Sequence, residues 1–295
     1  MTHSCGVPRV NDLRPVCRSK KLGNLTISAE VKRLCCSPTQ HRRRTKTLIS
    51  ARNKLGKVAT VVGGLARNPG EIKKELLRVY NEVMISRSPI ASITALNFLG
   101  EKASVTLENF HSADGNVSIE ELTFICALTQ KLRPRAVVEI GTFDGNTTLQ
   151  LALNTPPDAR IFTLDLPVGA MATNENTRGD IKYVNSTRRF NRRFLGAAVE
   201  HKIIQHYGNS LTYDFMNFTV SGRPQLIFID AGHSYDCVRS DSEKALAILD
   251  RGGTIVWHDY SAVWPGVFGY LVELSRDLPV VHIRGTTLAV YCQPT

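Results

Sequence analysis

The sequence predicts an α/β fold in which one doubly wound, mostly parallel sheet of seven strands lies between two layers of helices. Short apolar segments rich in β-branched residues alternate along the chain with amphipathic segments. Parallel strands that are covered on both faces show this pattern. A glycine-containing turn also follows the first of these apolar segments directly, and doubly wound folds bind nucleotide-like ligands at such turns.

The distribution of charge divides the chain into two parts. Residues 1–70 contain 15 Lys and Arg but two acidic residues, a net charge of +13, whereas residues 71–295 contain 22 basic and 24 acidic residues, a net charge of −2. We therefore predict a basic, low-order extension over residues 1–70 and one domain over residues 71–295. The near-neutral domain argues against an extended nucleic-acid surface, although the basic run 41–46 leaves contact with RNA, an acidic lipid surface or an import receptor open.

Two helices are predicted at the start of the domain, where residues 71–134 are expected to form helices and a cover. Ile72, Leu76, Tyr80 and Val83 recur at helical spacing, which predicts a helix that packs on the sheet. A capping box at Ser118 and Glu121 opens a second helix, while residues 90–115 predict an irregular segment that partly covers the ligand site.

Residues 135–295 predict the core of the fold. Five strands are expected, in the order AVVEI, IFTLD, KIIQH, LIFID and TIVWH, and VRSDSEKALAILD is among the amphipathic segments between them. VVHIRG and TTLAVYC predict a closing hairpin with Gly285 at its turn.

The turn after AVVEI predicts a cofactor site. Gly141 and Gly145 allow close approach of the backbone to a ligand, and Asn146 is positioned to cap the next helix. Asp165 ends the second strand, where one carboxylate can accept two ribose hydroxyls. A dinucleotide fingerprint requires glycine at the third and sixth positions of this turn, but the chain has Phe143 and Asn146 there, so NAD is disfavoured.

The spacing of Glu139, Gly141 and Gly145 resembles the signature of class I S-adenosylmethionine-dependent methyltransferases. YGNSLTYDF, QLIFIDAGHSYDCV and GGTIVWHDY follow in the expected order. From about Ser118 to about Tyr291 the chain is similar to the family known as methyltransferase domain 24, close to the small-molecule O-methyltransferases. The resemblance implies a Rossmann-like sheet with strand order 3-2-1-4-5-7-6, in which strand 7 is antiparallel.

The resemblance also implies the residues that hold S-adenosylmethionine. Asn209 and Ser210 stand where the family commonly has an Asp-Ser pair that contacts the adenine. The whole cofactor-binding set is expected to be Glu139, Gly141, Thr142, Phe143, Asp144, Gly145, Asp165, Asn209, Ser210, Asp230, His233 and Tyr235.

Asp230 and His233 are the predicted catalytic residues. His233 lies where catechol-type relatives carry a lysine base, so it is expected either to accept the proton of the acceptor hydroxyl or to line the cofactor pocket. In metal-dependent relatives the corresponding metal ligands would be Asp230, His258 and Asp259. A divalent ion there, manganese or magnesium, would orient the acceptor; the alternative is a polar network without a metal.

The segment 167–196 contains two pairs of arginines, Arg188 with Arg189 and Arg192 with Arg193. Inserts after the strands of such folds often build the acceptor pocket. The arginines could therefore recognise a carboxylate or phosphate on the substrate, or they could decorate a solvated helix.

We predict an enzyme that methylates an oxygen of a small-molecule acceptor. An RNA methyltransferase guided by the basic extension and a cofactor-binding protein with other chemistry are the alternatives. Seven cysteines without a CxxC pair favour a reducing, cytoplasmic location. No apolar segment reaches the roughly 20 residues of a membrane span, and a homo-oligomer stays open.

Overall fold

The computed structural model describes residues 69–100, 103–167, 169–170 and 178–295. One sheet of eight strands is covered by helices. The strands are β1 (Ala91–Ile93), β2 (Ala136–Ile140), β3 (Arg160–Asp165), β4 (Ile203–Tyr207), β5 (Leu226–Ile229), β6 (Thr254–Trp257), β7 (Val281–Ile283) and β8 (Ala289–Cys292). The α-helices are α1 (Pro69–Arg87), α2 (Ala95–Leu99), α3 (Ile119–Leu132), α4 (Asn146–Asn154), α5 (Ile181–Val184), α6 (Tyr235–Ile248) and α7 (Pro265–Leu274). Short 3-10 helices lie at Thr187–Phe190, Glu200–Lys202 and Phe215–Thr219.

The sheet has the order β4-β3-β2-β5-β6-β8-β7-β1. The first seven positions confirm the predicted order, and β8 runs antiparallel to both β6 and β7. Gly285 has a φ of 86° in the turn between β7 and β8, as the hairpin requires. The prediction of seven strands was one short, because β1 adds to the edge of the sheet in parallel with β7.

Each face of the sheet has its own apolar core. β2 is buried along its whole length, and alternate side chains point to opposite faces. Val138 and Ile140 pack with Phe162 in the core that includes α6 and α7. Val137 and Ile161 belong to the core that includes α3 and α4. This two-sided burial explains why the strands are apolar without polar alternation.

The segment 90–115 is more regular than predicted, because it contains β1 and α2. Two side-chain amides of α4 hold its later part. Asn154 exchanges hydrogen bonds with the backbone of Thr106 at 2.9 and 2.8 Å, and Gln150 does the same with Glu108 at 3.0 and 2.7 Å. These paired bonds satisfy backbone groups that would otherwise need a strand partner.

The helix predicted over α1 is present, but the face predicted to pack on the sheet is largely exposed. Ile72 is buried, whereas Leu76, Tyr80 and Val83 are 54%, 51% and 40% exposed. The other side of the helix makes the contacts, since Asn81 accepts a hydrogen bond of 2.8 Å from the Ala262 amide beyond β6. The capping box of α3 is formed as predicted.

Residues 1–68 lie outside the described residues, and so do the predictions for the basic extension. Cys126 and Cys237 are buried, as expected for small core residues. Among the described residues, we find no helix with both the length and the apolar character that crossing a bilayer would need.

The fold itself requires glycine at position 141, apart from any ligand that the turn binds. Its φ is 101°, and a β-carbon at this position would lie 2.6 Å from the carbonyl carbon of Asp230, at the end of β5. The turn after β2 and the end of β5 can therefore approach each other closely. The prediction that glycine makes room for a ligand here omitted this contact between neighbouring strands.

Gly145, not Asn146, is the N-cap residue of α4. Gly145 has a φ of 74°, and a β-carbon there would lie 2.7 Å from the ring of Phe194. The predicted cap was wrong because the Asn146 side chain serves another partner: its Oδ1 accepts a hydrogen bond of 3.1 Å from the His111 amide.

We expect Gly141→Ala to lower the free energy of unfolding by about 3 kcal/mol or more, because it adds overlap with Asp230 to the cost of a left-handed backbone. Gly285→Ala is the matched control. Its φ of 86° is similar, but no atom lies within 4 Å of the added carbon, so about 1 to 2 kcal/mol is expected. Urea unfolding measures both, and equal losses would contradict the role given to the close approach.

Candidate active site

A cavity of about 620 Å³ opens at the carboxyl ends of the parallel strands. Its size is typical of sites for small ligands and cofactors. Residues 112–116, at the end of the segment predicted to cover the site, form part of its wall. The predicted site residues that line the cavity are Gly141, Phe143, Asp165, Asn209, Ser210, Asp230, His233, His258 and Asp259.

Five of the predicted cofactor residues are not among the residues that line the cavity: Glu139, Thr142, Asp144, Gly145 and Tyr235. Thr142 shares a hydrogen bond of 2.6 Å with Thr163. The Tyr235 hydroxyl donates to Glu273 at 2.7 Å. In this structure these two side chains support neighbouring elements.

Glu139 is completely buried beneath the turn. Its Oε2 accepts hydrogen bonds from Thr163 at 2.6 Å and from Thr148. Burial raises the pKa of Glu139 to about 8, so this acid is mostly neutral at pH 7. Glu139 therefore joins β2, β3 and α4 below the cavity.

Asp165 lies at the end of β3 as predicted, but it is already paired. The Leu166 amide donates to Oδ1 at 2.9 Å, while Arg192 and Arg189 approach Oδ2 at 2.9 and 3.4 Å. A carboxylate offers about four lone-pair positions, and three are in use here. In this arrangement Asp165 has room for one ribose hydroxyl, not for the two that were expected.

Four of the five arginines of the insert bind acidic residues of this chain. Arg188 and Arg193 pair with Asp144 at 2.5 and 3.2 Å, next to the pairs that Arg189 and Arg192 make with Asp165. Both sets are well shielded from water on the acidic side. These four arginines thus attach the insert to the turn after β2 and to the end of β3, and neither predicted role, recognition of a substrate anion or decoration of a solvated helix, describes them.

His258, at the end of β6, lies between carboxylates. Nδ1 is 3.0 Å from Asp230 and 3.3 Å from Asp259, and Nε2 is 3.3 Å from Glu121. Burial opposes the charge on this ring, but Asp230 and Asp259 outweigh it and raise the pKa of His258 well above its usual value. Glu121 shares in the effect: despite burial, its bond to His258 lowers the pKa of Glu121 to about 2.

His233 is held in the same manner. Nδ1 bonds Asp180 of the insert, and Nε2 lies 2.7 Å from Asp259. The ring stacks on Trp264 with 4.0 Å between centroids. Burial opposes the charge, but the bonds to Asp180 and Asp259 prevail and raise the pKa of His233 to about 9. With a raised pKa and a carboxylate at each ring nitrogen, His233 has no free nitrogen in this arrangement to accept a proton, so its role as general base stays a prediction.

Asp259 is the centre of this network, which we call the carboxylate–imidazolium chain: Glu121, His258, Asp230, Asp259, His233 and Asp180. Its backbone has a φ of 57°, an uncommon conformation that concentrates at functional sites. Although burial acts in the opposite direction, His258 and His233 hold the pKa of Asp259 far below its usual range. Asp259 is therefore an ionised partner for cations and a weak proton acceptor.

The predicted metal ligands contact one another in this arrangement. The ring nitrogens of His258 face carboxylates, so a metal would have to displace a proton from the imidazole. The set whose ligand atoms lie within 4.8 Å of one another is Asp230, His233 and Asp259, but both ring nitrogens of His233 already contact acids. The alternative of a polar network, which the sequence also left open, describes the arrangement better.

Sequence reasoning missed three contributors to the site. Asp180 and Trp264 lie in loops, and no motif marks them. Glu121 was recognised as part of a capping box, and the box is formed, but Glu121 also accepts hydrogen bonds from Thr287 at 2.7 and 2.8 Å. One signal could have found Glu121. A histidine that is charged and shielded from water needs an oppositely charged partner, so an acidic partner for His258 could have been sought in the sequence.

Comparison with known families agrees with this architecture. The model of a family described as a methyltransferase domain matches residues 138–260. The resemblance to class I methyltransferases is confirmed. The match covers the turn after β2, the ends of β3, β5 and β6, and both histidines of the carboxylate–imidazolium chain. None of the curated proteins is significantly similar to the chain.

Several solved structures are distantly similar. Cofactor-bound Rv0187 from MTB is 21% identical, with 61% of this chain and 83% of that chain covered and a TM-score of 0.44. The O-methyltransferase TomG from Streptomyces achromogenes, in complex with SAM, is 19% identical, with 74% and 98% covered and a TM-score of 0.46. An O-methyltransferase from Bacillus cereus, in complex with SAH, is 19% identical, with 62% and 84% covered and a TM-score of 0.42. Likeness at this level carries no argument about the activity of this chain.

We expect the stability of the protein to decrease between pH 6.5 and pH 9 through His233. The pKa of His233 is raised from 6.5 to about 9 on folding, so its stabilising effect is complete below pH 6.5 and is lost as the pH rises through 9. The contribution is up to about 3 kcal/mol. Urea unfolding at several pH values should show a flatter profile for His233→Gln than for the wild type. The same change at the exposed His201 is the control, and an unchanged profile in His233→Gln would contradict the assignment.

Proposed function

We propose that this protein is an S-adenosylmethionine-dependent methyltransferase that acts on a hydroxyl group of a small molecule. The observation that carries the proposal is one cavity that joins two sets of residues. The turn after β2 and the end of β3 supply Gly141 and Asp165, while β5 and β6 end in Asp230 and Asp259. A cofactor and an acceptor can therefore meet inside one enclosure.

The residues present fit S-adenosylmethionine. A cavity of about 620 Å³ has room for the cofactor and part of an acceptor. Asp165 retains capacity for one hydroxyl, and the Asn209 side chain is positioned by a 3.0 Å bond from the Leu211 amide to its Oδ1. When bound, the cofactor supplies an electrophilic methyl group on a cationic sulfur.

Asp230 is the best candidate for the group that removes the proton of the acceptor. Its Oδ1 faces His258, while no described residue pairs with Oδ2, and Asp230 lines the cavity. His233 and Asp259 are poor proton acceptors, since the first is protonated and the second lies between two cations. We therefore move the role of general base from His233 to Asp230, whose carboxylate can accept a proton directly from an acceptor hydroxyl.

The alternatives remain distinguishable. An RNA methyltransferase guided by the extension would bind RNA with strong salt dependence, and binding would disappear without residues 1–70. A cofactor-binding protein with other chemistry would bind S-adenosylmethionine but methylate no acceptor. Four of the five arginines of the insert pair with acids of the chain, which reduces the capacity of the insert for phosphate and favours a small acceptor.

Calorimetry with S-adenosylhomocysteine tests the cofactor. We expect the wild-type protein to bind it and Asn209→Asp to bind about three- to ten-fold more tightly, because a carboxylate keeps the bond to Leu211 and forms a charge-assisted bond to the adenine amine. Asn209→Ala, which loses both, is the matched comparison. Wild-type protein that binds NADH but neither S-adenosylmethionine nor S-adenosylhomocysteine would overturn the assignment.

Asp230→Asn tests the proposed base with the shape of the side chain preserved. We expect the rate of methyl transfer to fall by about 100- to 10,000-fold, the usual effect of losing a general base, while affinity for S-adenosylhomocysteine changes little. Transfer of a labelled methyl group to extracted small molecules provides the assay. Undiminished transfer by Asp230→Asn would exclude Asp230 as the base. Inhibition by a chelator that manganese reverses would instead support the metal site.

A further inference from the structure

Residues 208–211 form a loop directly after β4, and all four of them line the cavity. The Gly208 amide donates a hydrogen bond of 2.9 Å to the Asp165 carbonyl at the end of β3. The loop therefore lies next to the carboxylate that is proposed to hold the ribose of the cofactor. A base attached to that ribose can reach the loop, where Asn209 and Ser210 offer polar side chains.

Two carbonyl groups of this loop are held by one lysine of α6. The Asn209 carbonyl is satisfied locally, since it accepts a hydrogen bond of 2.8 Å from the Tyr213 amide. The carbonyls of Ser210 and Leu211 instead accept bonds of 2.5 and 2.6 Å from Nζ of Lys244. Hydrogen bonds from a charged donor are about twice as strong as neutral ones, so α6 fixes the end of the loop.

Lys244 acts on the loop from behind the cavity. It is not one of the residues that line the cavity, and its Nζ lies 5.3 Å from the centre of the Phe215 ring in the 3-10 helix that follows the loop. An ammonium group at this distance is attracted to the face of the ring. Lys244 therefore connects α6 to the loop and to the next helix without touching a ligand.

Asp241 lies one turn before Lys244 on α6 and is completely buried. Neither of its carboxylate oxygens makes a hydrogen bond of good geometry with a described residue. Burial raises the pKa of Asp241 to about 7, and the neighbouring Ser210 hydroxyl and Lys244 ammonium oppose this rise. A buried carboxylate needs a positive charge nearby, so Lys244 is attracted to Asp241 as well as to the loop.

We infer that Lys244 is a positioning residue for the cofactor: it fixes the 208–211 loop so that Asn209 and Ser210 meet the adenine in one orientation. The inference rests on the proposed function, because it requires the base of the cofactor to occupy this part of the cavity. It adds a residue that no motif marks, since Lys244 belongs to an amphipathic segment that by itself predicts a covering helix.

Discrimination between two ligands that differ at one group of the base tests the inference. S-adenosylhomocysteine has an amine on its purine ring, and S-inosylhomocysteine has a carbonyl oxygen in the same place. Oδ1 of Asn209 can accept a hydrogen bond from the amine, whereas it opposes the carbonyl oxygen with a second acceptor. We expect calorimetry to show that the wild-type full chain binds S-adenosylhomocysteine at least about ten-fold more tightly than S-inosylhomocysteine.

Lys244→Met should reduce this preference to about three-fold or less, because a loop without its anchor presents Asn209 in several orientations. Arg239→Met is the matched control. It removes the same charge from the same helix, but Arg239 pairs with Glu243 at 2.8 Å on the exposed side, so the preference should stay. If Lys244→Met does not fold, Lys244→Gln keeps a donor without the charge and should reduce the preference by about three-fold.

A general loss of structure would weaken both ligands equally and leave their ratio unchanged. An unchanged ratio in Lys244→Met or Lys244→Gln would therefore overturn the inference, even where both affinities fall. Equal affinity of the wild type for the two ligands would do the same while leaving the proposed function intact. Wild-type protein that binds neither ligand would overturn the proposed function, and the inference with it.

Discussion

Pairing between carboxylates and imidazolium rings determines the chemistry of the cavity. His233 is buried and His258 is 13% exposed, and a charge on either ring is compensated because acids contact both nitrogens of each ring. The same contacts engage the ring nitrogens that a general base or a metal ligand would need. Histidine usually indicates proton transfer or metal binding. In this arrangement the two histidines orient Asp259 and Asp230, and these carboxylates are the groups left to act on a ligand.

The strands were predictable because the apolar pattern that indicates each strand lies within that strand. AVVEI, IFTLD and TIVWH are apolar throughout, as a sheet that is covered on both faces requires, and the observed strands match them within a residue or two. The early region was harder. β1 has three residues and joins the edge of the sheet, and the segment after α2 is held by side chains of α4 rather than by its own pattern.

The sequence indicated where the candidate site residues lie, but it did not indicate the contacts on which the role of each residue depends. Asp165, Asp230, His233 and Asp259 all lie around one cavity, because the carboxyl ends of parallel strands meet at one edge. The roles depend on partners that are distant in sequence. Asp180 contacts His233 from 53 residues away, and Glu121 contacts His258 across 137 residues. No local pattern reports such pairings.

These long separations also affect when the site appears during folding. Glu121 bonds Thr287 across 166 residues, so the carboxylate–imidazolium chain cannot close until β8 has joined the sheet and the insert has reached β5. Contacts between distant segments form slowly, since long loops must close first. A partly folded chain, or one still being synthesised, consequently has the glycine turn without the carboxylate–imidazolium chain. A ligand that spans both will stabilise the completed molecule alone.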